Sequence, residues 1–591
     1  MSQQTSVYPS TSIPAARSNV IDGLRRYGWL IFAVVALMIG YLIVWQRGMY
    51  YDDYWYRIGP IDPLSQIRTG ARLLGSLSGT ILLKLMPDNE LLLRVILAAL
   101  VAVNAALLGW LIERLIGSRL AAVSVGLLYL FPVYGSEAAL FSTAAAQYLP
   151  MGISALLTTH AIVTAFRYQG RAWLWLTLSV IGLAATFNFV EQGAALVFVI
   201  PFLALITAVQ HPEIPRRTLI LRMMVIIFAS GIALAGFYVV FYTNNEGVTM
   251  MRGSIDLDLA AILQRADQAY FQVFLYFSFL TSSGQNIFQS LIAFSLALPL
   301  VYGAVIVLLV SAGFMVIGWT HRSLTGDRTR VAAGLMALTG LIWFWATLLF
   351  PSVLAESAAL SWRLAYLPTA GLLLMLAGLI ALIQSVFRYQ WIDRLILTIT
   401  SMIVIVLIVT MIGLERVYQA RNALDNRQFE TLVDAVPPAL MRNDAALVPL
   451  TIDESMVPDY PVLNDLRVGL FDTTVTAINK LRETYGWQEW GVILAYGTPQ
   501  GAAQFGCTTR ELIANGQVCM IGMTDTSPEQ VVVDTERIIA FTYRESILFG
   551  VASLVFIIDD ARVVISLPRV ETLRARGVPV LEQLEWSIPV P

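Results

Sequence analysis

Long apolar runs recur along the chain and constrain its fold more than any other feature. A helix that crosses a bilayer needs about 20 mostly apolar residues. Of the 591 residues 57% are hydrophobic and only 13% are charged, a surplus of apolar side chains that a water-soluble core cannot hold. The sequence therefore predicts a polytopic α-helical membrane protein. We identify eleven candidate spans, at residues 28–45, 92–113, 120–134, 144–166, 173–190, 192–209, 219–242, 289–318, 331–350, 366–387 and 395–414.

The first apolar run predicts an uncleaved membrane span. Residues 1–27 are polar and carry Arg17, Arg25 and Arg26. The apolar run that follows is too long for the core of a signal peptide, and no small-residue cleavage site comes after it. We expect an uncleaved span preceded by a cytoplasmic tail.

The distribution of arginine predicts how the spans are oriented. Connections on the cytoplasmic side carry an excess of Lys and Arg. Long outer loops hold arginines too, such as Arg47, but long loops translocate largely regardless of charge. We therefore expect a plasma-membrane protein with a cytoplasmic N-terminus and an extracytoplasmic C-terminus. With the N-terminus inside, the inner segments hold Arg17, Arg25, Arg26, Arg114, Arg119, Arg167, Arg171, Arg216, Arg217, Arg222, Arg322, Arg328, Arg330, Arg388 and Arg394.

Two of the predicted outer loops are long, at residues 46–91 and 243–290. Each contains a stretch with apolar residues at helical spacing, 65–86 in the first and 256–277 in the second. This pattern is typical of helices that lie in the membrane interface.

The C-terminal region, residues 416–591, is polar and predicts a separate extracytoplasmic α/β domain. Residues 419–436 predict a helix that ends at a Pro-Pro pair, and 473–485 predict another. The apolar run 547–558 is short and precedes two aspartates, so we interpret it as a buried strand rather than a twelfth span. Short β-rich runs occur at 446–452, 467–471, 491–496, 518–521, 531–533, 538–543, 554–558 and 563–567.

Both cysteines of the chain, Cys507 and Cys519, lie in this C-terminal region, with Gly516 between them. On the outer side of a membrane they could form a disulfide that closes a short loop. Two unrelated thiols remain the alternative, because spacing does not fix the distance between the Cα atoms.

Asp52 and Asp53 follow the first span and are flanked by aromatic residues. Adjacent carboxylates repel each other, so one of them becomes the stronger base. A general base that accepts a proton from an acceptor hydroxyl needs this property. The alternative is a helix cap in an interfacial loop.

Three further charged residues fall on the same predicted face. Glu137 is the only charge in the connection after span three, and Glu191 lies where spans five and six leave almost no loop. Ionisable groups at such depth usually face a protein interior or a wet cavity. An interfacial carboxylate in water is the alternative for both. Arg363 precedes span ten and could clamp a phosphate, or pair with Glu191 or Glu356.

Several classes of function lack support in the sequence. It contains no HExxH motif, no Cys/His cluster and no GxxxxGK[ST] loop, and no basic patch that suggests nucleic acid. Asp52 and Asp53 could contribute to a divalent-ion site, but two ligands are too few to predict one. His160, inside span four, is expected to be a buried histidine bonded to a neighbour.

Three stretches occur in an order that resembles a known enzyme family. Residues 131–139, FPVYGSEAA, are similar to an HPxHxEAV stretch, with both histidines replaced. Residues 190–193, VEQG, are similar to KEQG without its lysine, and residues 362–369, WRLAYLPT, are similar to ERYLYLPS. Together with Asp52-Asp53, they resemble the membrane module of the tetratricopeptide-linked protein O-mannosyltransferases and their bacterial relatives, which have the GT-C fold. The resemblance covers residues 28–415.

The resemblance implies an inverting glycosyltransferase that uses a polyprenyl-phosphate sugar. A hexosyl or pentosyl group would move to a protein, lipid or glycan acceptor on the outer face. It implies Asp52 and Asp53 as catalytic residues, and Glu137, Glu191, Arg363 and Tyr366 as substrate-binding residues. We predict no cofactor, although a divalent metal remains possible.

Two other classes of function remain open. A multi-span transporter or lipid flippase usually has two similar halves and functional charges near the bilayer midplane. This chain has an odd number of predicted spans and no evident repeat. The other is a non-catalytic membrane protein whose outer domain binds a partner.

Overall fold

The described part of the chain forms a helical bundle followed by a mixed α/β domain. The computed structural model describes residues 32–38, 73–84, 90–131, 142–168, 170–242, 327–354, 365–387, 389–441, 445–452, 480–481, 484–485, 507–523, 528–544, 547–558, 561–583 and 587–589. The helices are α1 Leu73–Lys84, α2 Glu90–Ile116, α3 Arg119–Leu130, α4 Ser142–Arg167, α5 Ala172–Phe189, a 3₁₀ helix Glu191–Val199, α6 Ile200–Gln210, α7 Arg216–Tyr242, α8 Asp327–Leu354, α9 Tyr366–Val386, α10 Gln390–Ala435 and α11 Pro438–Met441.

Seven helices in the described ranges are long and apolar enough to cross a membrane. They coincide with seven predicted spans, so the prediction of a polytopic helical membrane protein is confirmed. Residues 289–318, predicted as the eighth span, lie outside the described residues. The seven helices are Leu91–Ile116, Ala144–Arg167, Ala172–Phe189, Glu191–Gln210, Arg216–Gly236, Arg328–Leu348 and Tyr366–Val386.

The third predicted span, 120–134, is wrong in its length. Helix α3 has 12 residues, which rise about 18 Å and fall short of a hydrocarbon core of about 30 Å. Its start follows from two local signals. Gly117 adopts φ 71°, a left-handed conformation that ends α2. The Ser118 hydroxyl then accepts a hydrogen bond from the Ala121 amide at 3.1 Å and caps α3.

Predicted span eleven and the helix predicted at 419–436 are one element. Helix α10 runs without a break for 46 residues, about 69 Å. The domain boundary that we placed at residue 416 therefore falls inside a helix. One continuous helix therefore connects the bundle to the C-terminal domain.

Helices α8 and α9 cross in backbone contact because glycines lie at the crossing. A Cβ on Gly340 would lie 2.2 Å from the Met375 amide nitrogen, and one on Gly371 would lie 2.5 Å from the Phe344 amide nitrogen. Small residues let membrane helices approach this closely, and the gain is van der Waals packing.

The C-terminal domain contains nine described strands. Strands β1, β4, β5 and β8 form one sheet in the order β1-β4-β5-β8, in which β1 pairs with β4 in parallel. β2 and β3 form an antiparallel hairpin, and a third sheet has the order β7-β6-β9. The strands are β1 Ala446–Ile452, β2 Gln517–Met523, β3 Pro528–Asp534, β4 Ile538–Arg544, β5 Ile547–Val551, β6 Ser553–Ile558, β7 Ala561–Ser566, β8 Val580–Leu581 and β9 Ser587–Pro589, with helices α12 Arg510–Ala514 and α13 Val570–Arg574.

The end of α10 belongs to the core of this domain. Phe429 and Leu432 are buried in one cluster with Phe541 and Tyr543 of β4. The Tyr543 hydroxyl donates a hydrogen bond to the Gln428 carbonyl at 2.5 Å. Burial of apolar side chains thus anchors the sheet to α10.

The predicted interfacial helices and strands agree with the structure in some places and differ in others. The run 547–558 is two strands rather than one, because Ala552 interrupts it between β5 and β6. Helix α1, in the predicted interfacial stretch 65–86, also packs on the bundle, where Ser78 Oγ donates to the Ala146 carbonyl at 2.5 Å. The predicted helix 256–277 and the strands 467–471 and 491–496 lie outside the described residues.

Candidate functional site

The helix termini of the bundle gather at two ends. We call one the Glu191 end, which holds the last turns of α3, α5 and α8 and the starts of the 3₁₀ helix and α9. We call the other the arginine end, which holds the last turns of α2, α4 and α9 and the starts of α5, α7 and α8. Side-chain contacts join helices within each end, such as Gln192 with Thr347 and Ser118 with Gln384.

Glu191 is buried at the junction of two helices. Helix α5 stops at Phe189, and Val190 is extended, with φ −150° and ψ 134°. The 3₁₀ helix then begins at Glu191, whose exposed fraction is 3%. A carboxylate here faces protein rather than bulk water, which is typical of functional ionisable groups in membrane proteins.

The 3₁₀ helix that carries Glu191 is unusually long. It has nine residues, whereas such helices seldom exceed three or four because their hydrogen-bond geometry is poor. Gly193 lies directly on α5, and a Cβ there would be 2.6 Å from Thr186 Cγ2 and 2.8 Å from the Thr186 carbonyl carbon. The glycine of the VEQG stretch is therefore needed for this contact.

Gln192 connects the same segment to α8. Its Nε2 donates a hydrogen bond of 2.7 Å to the Thr347 carbonyl, and its exposed fraction is 1%. Hydrogen bonds of this kind between membrane helices contribute about 1 kcal/mol. Gln192 therefore fixes the helix that carries Glu191 against α8.

Tyr366 begins α9 and lies in a second buried polar group. Its ring stacks on that of Tyr129 in α3, with the centroids 5.2 Å apart. The exposed fractions are 0% and 1%, and neither hydroxyl group has a hydrogen-bond partner in the described part of the chain. Buried tyrosine hydroxyls usually do have a hydrogen-bond partner, so this pair is an unusual feature of an apolar bundle.

Asn104 of α2 borders this tyrosine pair. Its Nδ2 donates to the Leu100 and Leu149 carbonyls, at 2.9 Å each. Its Oδ1 is fully buried and has no hydrogen-bond partner among the residues that the structure describes. A Cβ on Gly152 would lie 2.5 Å from this oxygen and 2.9 Å from the Tyr366 ring, so the glycine keeps the three groups in contact.

Polar side chains of α4 and α5 also meet between the helices. Ser154, two residues beyond Gly152, has its Oγ 2.8 Å from Thr186 Oγ1, and Thr186 contacts Gly193. This hydroxyl pair connects α4 to α5 beside the 3₁₀ helix that begins at Glu191. Burying polar groups in an apolar bundle is unfavourable in free energy, and such groups are often retained because they are functional.

Two of the six residues that the sequence singled out for substrate chemistry are described. Glu191 and Tyr366 are both buried, at the same end of the bundle. Asp52, Asp53, Glu137 and Arg363 lie outside the described residues.

Sequence reasoning passed over Asn104, Tyr129 and Gln192. Asn104 offered a usable signal, since an amide in the middle of a long apolar run is costly in lipid and marks an inward-facing position. Tyr129 offered none, because a tyrosine near a span end is ordinary in the interfacial belt. No group of three or more His, Cys, Asp or Glu side chains in the described ranges could hold a metal ion.

The arginine end has mainly structural contacts. Arg114 donates to the His160 carbonyl at 3.2 Å and to Thr164 Oγ1 at 2.7 Å. His160 is 5% exposed, stacks on Trp110 and has its Nε2 3.1 Å from the Leu107 carbonyl. It is therefore a buried histidine bonded to a neighbour.

In the C-terminal domain, Cys507 and Cys519 form a disulfide, with their Cα atoms 5.3 Å apart. Gly516, at φ 70°, turns the chain between them. Thr508 Oγ1 donates to the Cys519 carbonyl at 2.8 Å and accepts from its amide at 3.1 Å. Of the two alternatives that the spacing left open, the structure has the paired one.

The fold defines a polytopic α-helical membrane protein with a C-terminal α/β domain. No protein-family model matches the chain, and no curated protein is similar to it. Two structures of ArnT from Cupriavidus metallidurans are similar, each 12% identical over 86% of this chain and 98% of that chain. The TM-score is 0.39 for the apo state and 0.35 for ArnT bound to undecaprenyl phosphate. Because both TM-scores are below 0.5, we base the proposal below on the residues of this chain.

Proposed function

We propose that this protein is a GT-C-type glycosyltransferase that moves a sugar from a polyprenyl-phosphate donor to an acceptor on the outer face of the membrane. One observation carries the proposal. The VEQG stretch and the WRLAYLPT stretch are about 170 residues apart in sequence, yet Glu191 and Tyr366 are both buried at the same end of one bundle.

The proposed chemistry is an inverting displacement. Asp52 or Asp53 takes the proton of an acceptor hydroxyl, whose oxygen attacks the anomeric carbon. The bond from that carbon to the phosphate oxygen breaks, and the polyprenyl phosphate leaves with the electron pair. Arg363 stabilises the phosphate charge through its fork of donors.

Glu191 and Tyr366 would bind and orient the substrate in this scheme, as would Glu137. A carboxylate held against α5 and α8 can accept hydrogen bonds from sugar hydroxyls without reorganising. Positioning of this kind dominates such reactions, and a small displacement of a group can cost about a hundredfold in rate.

The proposal includes an orientation and a role for the C-terminal domain. The Glu191 end faces outward, because described arginines are concentrated at the opposite end. The Cys507–Cys519 disulfide suits an oxidising, extracytoplasmic side. The domain at the end of α10 would then select or orient the acceptor.

The test uses the full chain in proteoliposomes with undecaprenyl-phosphate-linked pentose and hexose donors and a membrane extract as the source of acceptor. We expect release of undecaprenyl phosphate and transfer of labelled sugar. Asp52→Asn or Asp53→Asn should abolish both, and Glu191→Gln should lower them. Glu213→Gln, a carboxylate change at the arginine end, is the matched control and should have no effect.

Three outcomes would contradict the proposal. Full activity in both aspartate variants would exclude the proposed base. Movement of the lipid between leaflets without sugar release would point to a flippase. A folded protein that neither transfers nor moves any donor would point to a non-catalytic binding protein.

A further inference from the structure

Helices α5 and α7 form the most lipid-exposed flank of the bundle. Of the seven candidate spans, theirs have the lowest buried shares, 22% and 17%, against 50% or more for the other five. Leu221, Phe228 and Ile232 are 62% to 73% exposed and follow one face of α7 at helical spacing. Ile181 of α5 is 58% exposed. These side chains offer a continuous apolar wall.

Three exposed arginines lie at the arginine end of this wall. Arg171 precedes α5, and Arg216 and Arg217 open α7. No carboxylate within the described ranges forms a salt bridge with any of the three. Glu213, the acid of the connection before α7, has its Oε1 2.9 Å from His211 Nδ1.

Arg222 brings the N-terminal part of α7 close to the connection before α5. Arg222 of α7 donates to the carbonyls of Ala165 at 2.7 Å and Tyr168 at 3.0 Å. Its guanidinium therefore satisfies the open C-terminal carbonyls of α4 and holds α7 beside the short connection that leads into α5. The N-terminal part of α7 therefore lies close to the connection that leads into α5.

The electrostatics of this arrangement are unfavourable without an anion. A helix start carries partial positive charge and is stabilised by acids, not by arginines. The first turns of α5 and α7 contain no acidic residue. Three guanidinium groups and two helix starts therefore concentrate positive charge at the edge of an apolar surface.

Two exposed aromatic residues mark the depth of a lipid headgroup here. Tyr168 is 56% exposed and Trp173 is 70% exposed, on either side of Arg171. Such amphipathic rings prefer the boundary between acyl chains and headgroups.

We propose that the α5–α7 surface binds an anionic phospholipid. Its phosphate contacts Arg171, Arg216 and Arg217, and its acyl chains lie along the exposed apolar faces of the two helices. Arginine suits this ligand because its planar fork pairs with two phosphate oxygens. A zwitterionic lipid carries its own ammonium group and gains less from the patch. The surface is at the opposite end of the bundle from the Glu191 end, so the inference does not depend on the proposed function.

The experiment is a titration of delipidated full-length protein with phosphatidylglycerol or phosphatidylcholine, followed by native mass spectrometry at fixed ionic strength. We expect phosphatidylglycerol to bind first and more tightly. Arg216→Gln/Arg217→Gln should weaken its binding roughly thirtyfold, since each basic residue near a membrane surface contributes about 1 kcal/mol. Arg216→Lys/Arg217→Lys should retain most of the preference.

The matched control is Arg544→Gln/Arg562→Gln, which removes two exposed arginines from the C-terminal domain and should change nothing. Equal binding of the two lipids would overturn the proposal, as would an unchanged preference in the Arg216→Gln/Arg217→Gln variant. Equal weakening in the control would show a non-specific charge effect and would overturn it too. Displacement of the lipid by inorganic phosphate alone would mean a free-anion site instead.

Discussion

Replacing Gly340 with alanine tests the backbone contact between α8 and α9. The new Cβ would lie 2.2 Å from the Met375 amide nitrogen and 2.5 Å from the Gly371 carbonyl oxygen. Ordinary contacts of a Cβ begin at 3.4 Å, so the helices would have to separate by about 1 Å. Both opposing atoms are backbone and cannot rotate away.

The expected change in the free energy of unfolding is the difference between two opposing effects. Overpacking of this kind costs about 3 kcal/mol when the neighbours are rigid. Alanine is the better helix former and returns about 1 kcal/mol. We therefore expect Gly340→Ala to lower the free energy of unfolding by about 2 kcal/mol, which lowers the melting temperature by several degrees.

The same helix provides the control. Gly334 has nothing within 4 Å of an added Cβ, so Gly334→Ala should be neutral or stabilising. The assay is thermal unfolding of both variants in the same detergent, followed by intrinsic tryptophan fluorescence. If Gly340→Ala proves as stable as Gly334→Ala, the close crossing of α8 and α9 is refuted.

Three further predictions concern the C-terminal domain and the Glu191 end. Burial raises the pKa of Tyr543 above its usual range, so the folded state keeps a proton that the unfolded state loses above about pH 10. The domain should therefore lose stability as the pH rises past that value. In urea titrations at increasing pH, Tyr543→Phe should reduce this alkaline loss of stability. Cys507→Ala/Cys519→Ala should lower stability by about 2 to 3 kcal/mol, and adding a reductant should then have no effect on that variant, whereas it should destabilise the parent protein. Gln192→Leu removes the hydrogen bond to α8 and should lower the free energy of unfolding by about 1 kcal/mol. Under the proposed function, the same variant should lower kcat more than it raises KM. An unchanged kcat would show that Gln192 does not position Glu191.

Part of the candidate site could be predicted from the sequence because the features that indicate it are local. Glu191 is an acid between two apolar runs, and its depth follows from the length of those runs alone. The pairing of Tyr366 with Tyr129, by contrast, joins α9 to α3 across more than 200 residues. No periodicity within either segment encodes which neighbour it meets.

The errors in the sequence analysis have the same origin. The third span was predicted too long because hydropathy continues past Leu130, where the helix ends. α10 was divided in two because its composition turns polar near residue 416, although its backbone continues helical to Ala435. Composition indicates which solvent surrounds a segment, whereas an α-helix forms the same internal hydrogen bonds in water and in lipid.

The sequence by itself determined that this protein resides in a membrane, where most of its helices lie and on which end its arginines collect, because hydropathy and charge act through the surrounding solvent. Only the tertiary structure decided that Gly340 and Gly371 bring two backbones together, that Gln192 bonds to α8, and that Arg222 bonds to the end of α4. These are contacts between segments far apart in the chain. Their energies depend on distances of a few tenths of an ångström, which packing sets and local pattern does not.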